Sequence, residues 1–449
     1  MAKKPARTSP ERRPAVARLL SPVQDFIRTE SASGVVLLGA ALIAFVWANS
    51  PWAARYFAIL DIPVGVGFGA WGLEKPLLLW VNDLLMAVFF FLVGLEIKRE
   101  CMVGELAGWH RASLPLAGAL GGMIVPALIY VALNPSEPAV RGWGVPMATD
   151  IAFALGVLSL LGDRVSLGLK VFLLALAIVD DLGAVLVIAL FYSENISVGA
   201  LLLSFLAWGC GLAYGRFGGG KALAFALIGL VMWYFMLKSG VHATIAGVLM
   251  ALAVPLRHRL SPQQLQQELR PLTTRGGDFE QIEVMIEHVD EVLERARSPL
   301  HRMEHALAPF TAFVIMPVFA FFNAGLALGG SETELISAVS IGAFVGLLLG
   351  KPIGVAGFVA LAVKTGLTRL PEGTGWQGLI GVGLLAGIGF TMSLFIASLA
   401  FPDYAMLNQA KIGVLCASVI AALAGLALLH RALPRAPIRE VRAARADAT

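Results

Sequence analysis

The chain has 449 residues, of which 58% are hydrophobic and 14% charged, and its mean hydropathy is +0.79. A soluble domain carries about 25% charged residues, so this composition excludes a soluble enzyme or binding module and places the protein in a membrane. The net charge of +4 arises from 34 Lys and Arg spread over many connections, not from the single basic face that nucleic-acid binding needs.

Residues 1–30 form a basic tail with Lys3, Lys4, Arg7, Arg12, Arg13, Arg18 and Arg28. The apolar run that follows is long and lacks the small-x-small site of a cleaved signal peptide, so it reads as the first membrane span. Apolar runs over 31–50, 76–95, 112–133, 148–161, 167–191, 198–214, 222–237 and 241–256 predict spans one to eight. Runs over 306–326, 335–363, 377–401 and 405–429 predict four more. None alternates apolar with polar residues as a lipid-facing barrel strand does. Since lone strands leave their backbone unpaired in lipid, the expected fold is an all-α polytopic membrane protein of about twelve transmembrane helices.

Lys and Arg fall mainly in alternate connections, and with an even number of spans the positive-inside rule puts both termini in the cytoplasm. The outer side then holds little beyond Arg55, Lys75, Arg141, Lys238 and Lys411. A modest strand signal over 61–69 is compatible with an outer hairpin. The inner connection 257–305 is long. Within it Ile282, Met285, Ile286, Val289, Val292 and Leu293 recur at helical spacing among acidic residues, which predicts an amphipathic cytoplasmic helix. Residues 430–449 form a second basic tail. The three cysteines, Cys101, Cys210 and Cys416, show neither disulfide nor metal spacing and read as buried thiols.

Against this apolar background a few charges carry the chemistry. Asp180 and Asp181 lie in the uncharged run 171–192, where each carboxylate costs about 2.5–3.5 kcal/mol to insert and so must face protein or a watery cavity. Neighbours on a helix point about 100° apart, so the two acids need different partners. Asp150 stands after Thr149 in a run too short to cross as a plain helix. A break there frees carbonyls and half-helix ends that can meet an ion near the midplane. Thr149 offers a hydroxyl oxygen, and Asp150 either a carboxylate ligand or a cap for exposed N–H groups. A matching break is expected at 384–393, where Gly387 and Gly389 precede Thr391 and Ser393.

Lys351, in the tenth span, is an ammonium that needs a carboxylate neighbour or must lose its proton, and Asp180 is a reasonable partner. Asp181 is then left to join Thr149 and Asp150 around a cation such as sodium, which takes oxygen ligands. The opposite division of the two acids fits the spacing equally well. A desolvated carboxylate holds either a proton or a cation, and competition between them is antiport.

The segments Ala148-Thr149-Asp150-Ile151-Ala152-Phe153-Ala154, Ala175-Leu176-Ala177-Ile178-Val179-Asp180-Asp181-Leu182-Gly183 and Leu237-Lys238-Ser239-Gly240-Val241-His242-Ala243-Thr244 resemble the bacterial NhaA-type sodium/proton antiporters. So do Gly94-Leu95-Glu96-Ile97-Lys98-Arg99-Glu100 and Gly387-Ile388-Gly389-Phe390-Thr391-Met392-Ser393. The resemblance implies a cell inner-membrane exchanger of pH homeostasis and salt tolerance. It would expel sodium or lithium for a larger number of protons, and it needs no cofactor and is not an enzyme. It implies inverted repeats with two broken, crossing helices at spans four and eleven; this family is itself a standing example of that architecture. By the same resemblance, Asp181, Asp150 and Thr149 concern cation binding, Asp180 and Lys351 form an exchangeable ion pair, and Asp83 is a polar position on the second span. Glu96, Glu100, Glu304 and His305 match positions linked to pH response, and the outer hairpin implies a homodimer.

Two features depart from the family pattern. The 257–305 connection looks longer, and Ala308 stands where a second histidine would follow Glu304 and His305. Of the seven histidines, His110, His258, His288, His301, His305 and His430 fall on the expected inner side. His242, without a partner at ligand spacing, reads as a packed polar residue. A cation channel is the main rival, but it would show a ring of like charges or a carbonyl filter and no lone intramembrane Lys. An intramembrane aspartyl protease would place two acids to share a proton and carry Gly-x-Gly-Asp, which accompanies no intramembrane acid here.

Overall fold

The computed structural model describes residues 30–67, 72–193, 195–256, 292, 297–328, 336–370 and 374–433. Helix α1 (Glu30–Ala48) is followed, after a bend of 118°, by the short α2 (Ala53–Leu60). Strands β1 (Pro63–Val66) and β2 (Leu73–Pro76) then pair antiparallel in the register Pro63↔Pro76, so the strand signal at 61–69 does end in a hairpin. The chain continues through α3 (Leu77–Val103), α4 (Trp109–Leu133), a 3₁₀ segment (Ala139–Met147), α5 (Ile151–Ser159), α6 (Leu167–Phe191), α7 (Val198–Arg216), α8 (Ala222–Lys238) and α9 (Ile245–Ala253). Five further helices follow: α10 (Pro299–Asn323), α11 (Ala338–Lys364), α12 (Trp376–Ala386), α13 (Phe390–Ala400) and α14 (Tyr404–Ala432).

Every predicted span contains helix. Eight stretches among the described residues are long and apolar enough to cross a bilayer alone, and α12 with α13 forms a further span bent by 45° at its break. Side chains such as Leu42, Leu190, Leu202, Leu206 and Leu423 are exposed on the outside of the bundle, as lipid-facing positions must be. The expected eighth span, 241–256, is shorter than predicted: only the nine residues of α9 are helical. Gly240 takes a positive φ of 81° just before it, and Val254 turns extended just ahead of Pro255, so the apolar run is longer than the helix it forms. Lys98 of α3 donates to Leu252 O (2.7 Å) and to Val254 O, satisfying the last carbonyls of this short helix.

Three of the long helices widen locally into a π turn: Val81–Leu85 in α3, Thr311–Ile315 in α10 and Gly346–Gly350 in α11. Two of these precede a helical proline, Pro317 and Pro352. A proline lacks the N–H for the carbonyl four residues back and its ring crowds that oxygen, so the turn before it opens. In α11 this places Lys351 directly after the opened turn.

Helix α6 runs through the middle of the molecule with Leu173, Leu176, Ala177, Asp180, Asp181 and Ala184 all buried. Helices α4 and α11 pack against one another at backbone contact. A Cβ at Gly121 would lie 2.1 Å from Gly354 O, and one at Gly354 would lie 2.0 Å from Gly121 O, so only glycine fits either position. The three cysteines are exposed, which corrects the expectation of buried thiols: an apolar segment in a membrane has a lipid-facing side as well as a core. The amphipathic helix expected within 257–305 lies, Val292 excepted, outside the described residues, as do most of both basic tails.

Candidate functional site

The two broken helices meet at their breaks. The 3₁₀ segment ends at Met147, residues Ala148 to Asp150 are extended, and α5 starts at Ile151. Opposite it, α12 ends at Ala386 and α13 starts at Phe390. Backbone and side-chain bonds tie the breaks together: Asp150 N donates to Ile388 O (2.7 Å), and Thr149 Oγ1 donates to Ala386 O (2.8 Å).

Such a crossing brings like helix ends together, and the side chains offset them. At the N-termini of α5 and α13 the free N–H groups leave partial positive charge. Asp150 serves both ends. Its Oδ1 accepts from Phe153 N (3.0 Å), and its Oδ2 accepts from Thr391 N (3.2 Å) and from the Thr391 hydroxyl. Of the two roles open to Asp150, the cap is therefore present. At the opposite pole, the carbonyl ending the 3₁₀ segment, Met147 O, accepts from the Lys351 ammonium.

Lys351 also forms an ion pair with Asp180 Oδ2, both side chains being fully buried. This settles the geometric division of the two acids. Asp180 Oδ2 further accepts from Thr149 Oγ1 (2.6 Å), so the Thr149 hydroxyl sits on Asp180 and on the Ala386 carbonyl, not on Asp181. One hydroxyl hydrogen serves two acceptors here. It can satisfy only one at a time, and the oxygen lone pairs remain available to a cation.

Asp181 differs from every other charge in the core. It is 0% exposed, and neither of its carboxylate oxygens has a hydrogen-bond partner among the described residues. Its electrostatic neighbours are Asp180, Glu96 and Asp150, with Lys351 opposing them. Oδ1 of Asp180 is likewise without a partner. Among the described residues no three His, Cys, Asp or Glu side chains gather as a transition-metal site would require. What the crossing offers is carboxylate, hydroxyl and carbonyl oxygen, the ligands of a hard cation.

The remaining predicted residues stand apart. Asp83, in the π turn of α3, pairs with Lys75 of β2 at 2.8 Å, and its carbonyl accepts from Trp233 Nε1 (3.0 Å). Near the far end of α3, Arg99 bridges two of the expected acids, with Nη1 2.9 Å from Glu100 Oε1 and Nε 3.1 Å from Glu304 Oε1. His301 Nδ1 lies 3.5 Å from Glu304 Oε2, whereas His305 is exposed. Glu96 joins this group only through longer-range charge, from Glu304, Arg99 and Glu100. His242 Nε2 lies 2.6 Å from Tyr192 O, in keeping with a packed polar residue.

Sequence reasoning did not assign Thr391 to Asp150, Met147 O to Lys351, or His301 to Glu304. The hydroxyls after Gly389 were a signal for the first. A backbone acceptor such as Met147 O leaves no trace in residue type.

A family model described as Na+/H+ antiporter 1 matches residues 24–429. The chain is 51% identical over 426 residues to a Na(+)/H(+) antiporter NhaA of Oleidesulfovibrio alaskensis, which covers 92% of this chain and 95% of that one. It is 47% identical over 431 residues to a Na(+)/H(+) antiporter NhaA 2 of Syntrophotalea carbinolica, covering 94% and 98%. With a Na(+)/H(+) antiporter NhaA of Serratia proteamaculans the identity is 45% over 425 residues, covering 92% and 98%.

Proposed function

The chain belongs to the Na+/H+ antiporter 1 family, and from that premise we propose an electrogenic exchanger that moves sodium, or lithium in its place, out of the cytoplasm against a larger number of entering protons. It is a multi-pass membrane protein that exchanges sodium for protons. The observation that carries the mechanism is Asp181, a buried carboxylate whose two oxygens have no hydrogen-bond partner among the described residues, beside an acid that Lys351 already holds.

A bare carboxylate in such surroundings is costly, so Asp181 takes whichever positive ion reaches it. We assign the sodium ligands to Asp181, to the Asp150 carboxylate and to the Thr149 hydroxyl. A proton on Asp181 removes the charge that attracts sodium, and sodium removes the charge that attracts a proton. The Asp180–Lys351 pair supplies a second element that can gain or lose a proton, which accounts for more than one proton per cation. Movement of the broken helices about their crossing would present the same oxygens to either side in turn, as generalised from transporters that include this family.

The distribution of Lys and Arg supports an inner-membrane orientation with both termini cytoplasmic. The Arg99 cluster with Glu96, Glu100, Glu304 and the neighbouring His305 supports pH regulation from that side. The β1–β2 hairpin, with an open strand edge, supports a homodimer; a monomeric mass in both mild detergent and lipid would count against it. The decisive experiment is Asp181→Asn in everted vesicles or proteoliposomes. It should abolish sodium-driven proton movement, and wild-type exchange in that variant refutes the assignment.

A further inference from the structure

Helix α13 starts in the middle of the protein, and the residues of its first turn, Phe390 to Ser393, are buried. Thr391 N is taken by Asp150, and Ser393 N by Gly389 O (2.8 Å). Phe390 N is taken by neither broken helix. It donates across to α14, to Ser418 Oγ at 3.1 Å, and Ser418 is only 4% exposed. Phe390 and Ser418 both line a groove of about 520 Å³, together with Phe153, Leu38, Ala41, Leu415 and other apolar side chains. Phe153 and Phe390 face each other there with ring centroids 5.7 Å apart. Apart from Ser418, the side chains lining this groove offer Phe390 N no oxygen or nitrogen acceptor.

Resting on the reading of Asp150 as a cation ligand, we propose that Ser418 is a positioning residue of the exchange site: its hydroxyl caps α13 from a neighbouring span and so sets where Thr391 meets Asp150. The coupling is short. Phe390 precedes Thr391, and both donors that Thr391 presents, N–H and hydroxyl, end on Asp150 Oδ2. A buried N–H left without an acceptor is costly, so losing Ser418 Oγ favours a shift of the first turn of α13, and Thr391 moves with it. Ser418 touches neither the cation nor the proton, and its effect passes through Thr391.

The test is sodium dependence in proteoliposomes carrying Ser418→Ala, with Ser418→Thr as the variant that keeps the hydroxyl. Ser418→Ala should raise the half-saturating sodium concentration about tenfold, on the scale of a buried donor losing its acceptor, while Ser418→Thr stays near wild type. In a Thr391→Val background, which removes the hydroxyl contact with Asp150 but keeps the one from Thr391 N, Ser418→Ala should add clearly less than about tenfold, because half of the route to Asp150 is already gone. Sodium-dependent thermal stabilisation of the purified variants gives the same comparison without turnover, so poor transport alone does not decide the matter. Unchanged half-saturation in Ser418→Ala, or an undiminished tenfold effect in the Thr391→Val background, overturns the proposal. Failure of the cation-site reading looks different: Asp150→Asn by itself would then leave sodium dependence at its wild-type value.

Discussion

Replacing Lys351 with alanine tests the electrostatics of the crossing most directly. Lys351 and Asp180 are both fully buried, and Asp180 Oδ1 has no hydrogen-bond partner among the described residues. In Lys351→Ala the Asp180 carboxylate keeps only the shared hydrogen of Thr149, and Met147 O loses its donor. Removing one member of a buried ion pair costs about 3–5 kcal/mol, since the other charge remains desolvated. At about 2.1 cal/mol/K per residue, the unfolding entropy of 449 residues is about 0.9 kcal/mol/K, so the midpoint should fall by about 3–5 °C. Thermal unfolding of the detergent-purified protein measures this. Removing both partners, as Lys351→Met with Asp180→Asn, should recover most of the loss, because no uncompensated charge is left. If the single and double variants unfold at the same temperature, or the single variant matches wild type, the pair does not hold the crossing as described.

Three further outcomes follow from the same geometry. Asp150→Ala removes the acceptor for Phe153 N and for both Thr391 donors, so it should raise the half-saturating sodium concentration and cost about 1–3 kcal/mol of stability; an unchanged half-saturation removes Asp150 from the cation site. Lowering the pH should raise half-saturating sodium by up to about tenfold per unit if one proton competes, and by up to about a hundredfold if two do, whereas a fall in maximal rate alone would rule out a shared site. Gly121→Ala forces a Cβ to within 2.1 Å of Gly354 O, so α4 and α11 must separate at a cost of about 1–3 kcal/mol, read as a lowered unfolding midpoint; wild-type stability would show that this contact yields freely.

Much of the fold was legible because lipid allows so few backbone solutions. A long apolar run favours helix, and each of the twelve runs contains one, although the short α2 lies in none of them and one run holds both α12 and α13. The intramembrane charges were legible for the same reason: Asp150, Asp180, Asp181 and Lys351 stand out from any apolar span, and their insertion cost demanded partners. The end of α9 was less readable, since apolar residues continue beyond the turn at Val254.

The division of labour between adjacent acids belonged to the tertiary structure. Spacing required Asp180 and Asp181 to part company, but it took α11, opened by its π turn and pressed against α4 at Gly121 and Gly354, to deliver Lys351 to Asp180. Likewise Asp150 announced itself as a charge, while Thr391 became its partner, and Ser418 the partner of Phe390 N, only once α13 packed beside α5 and α14. The chain alone determines which groups are too costly to leave alone in a membrane. Which of them are answered, and that Asp181 has no hydrogen-bond partner among the described residues, depends on distances of about 3 Å between segments far apart in sequence, and only packing sets those.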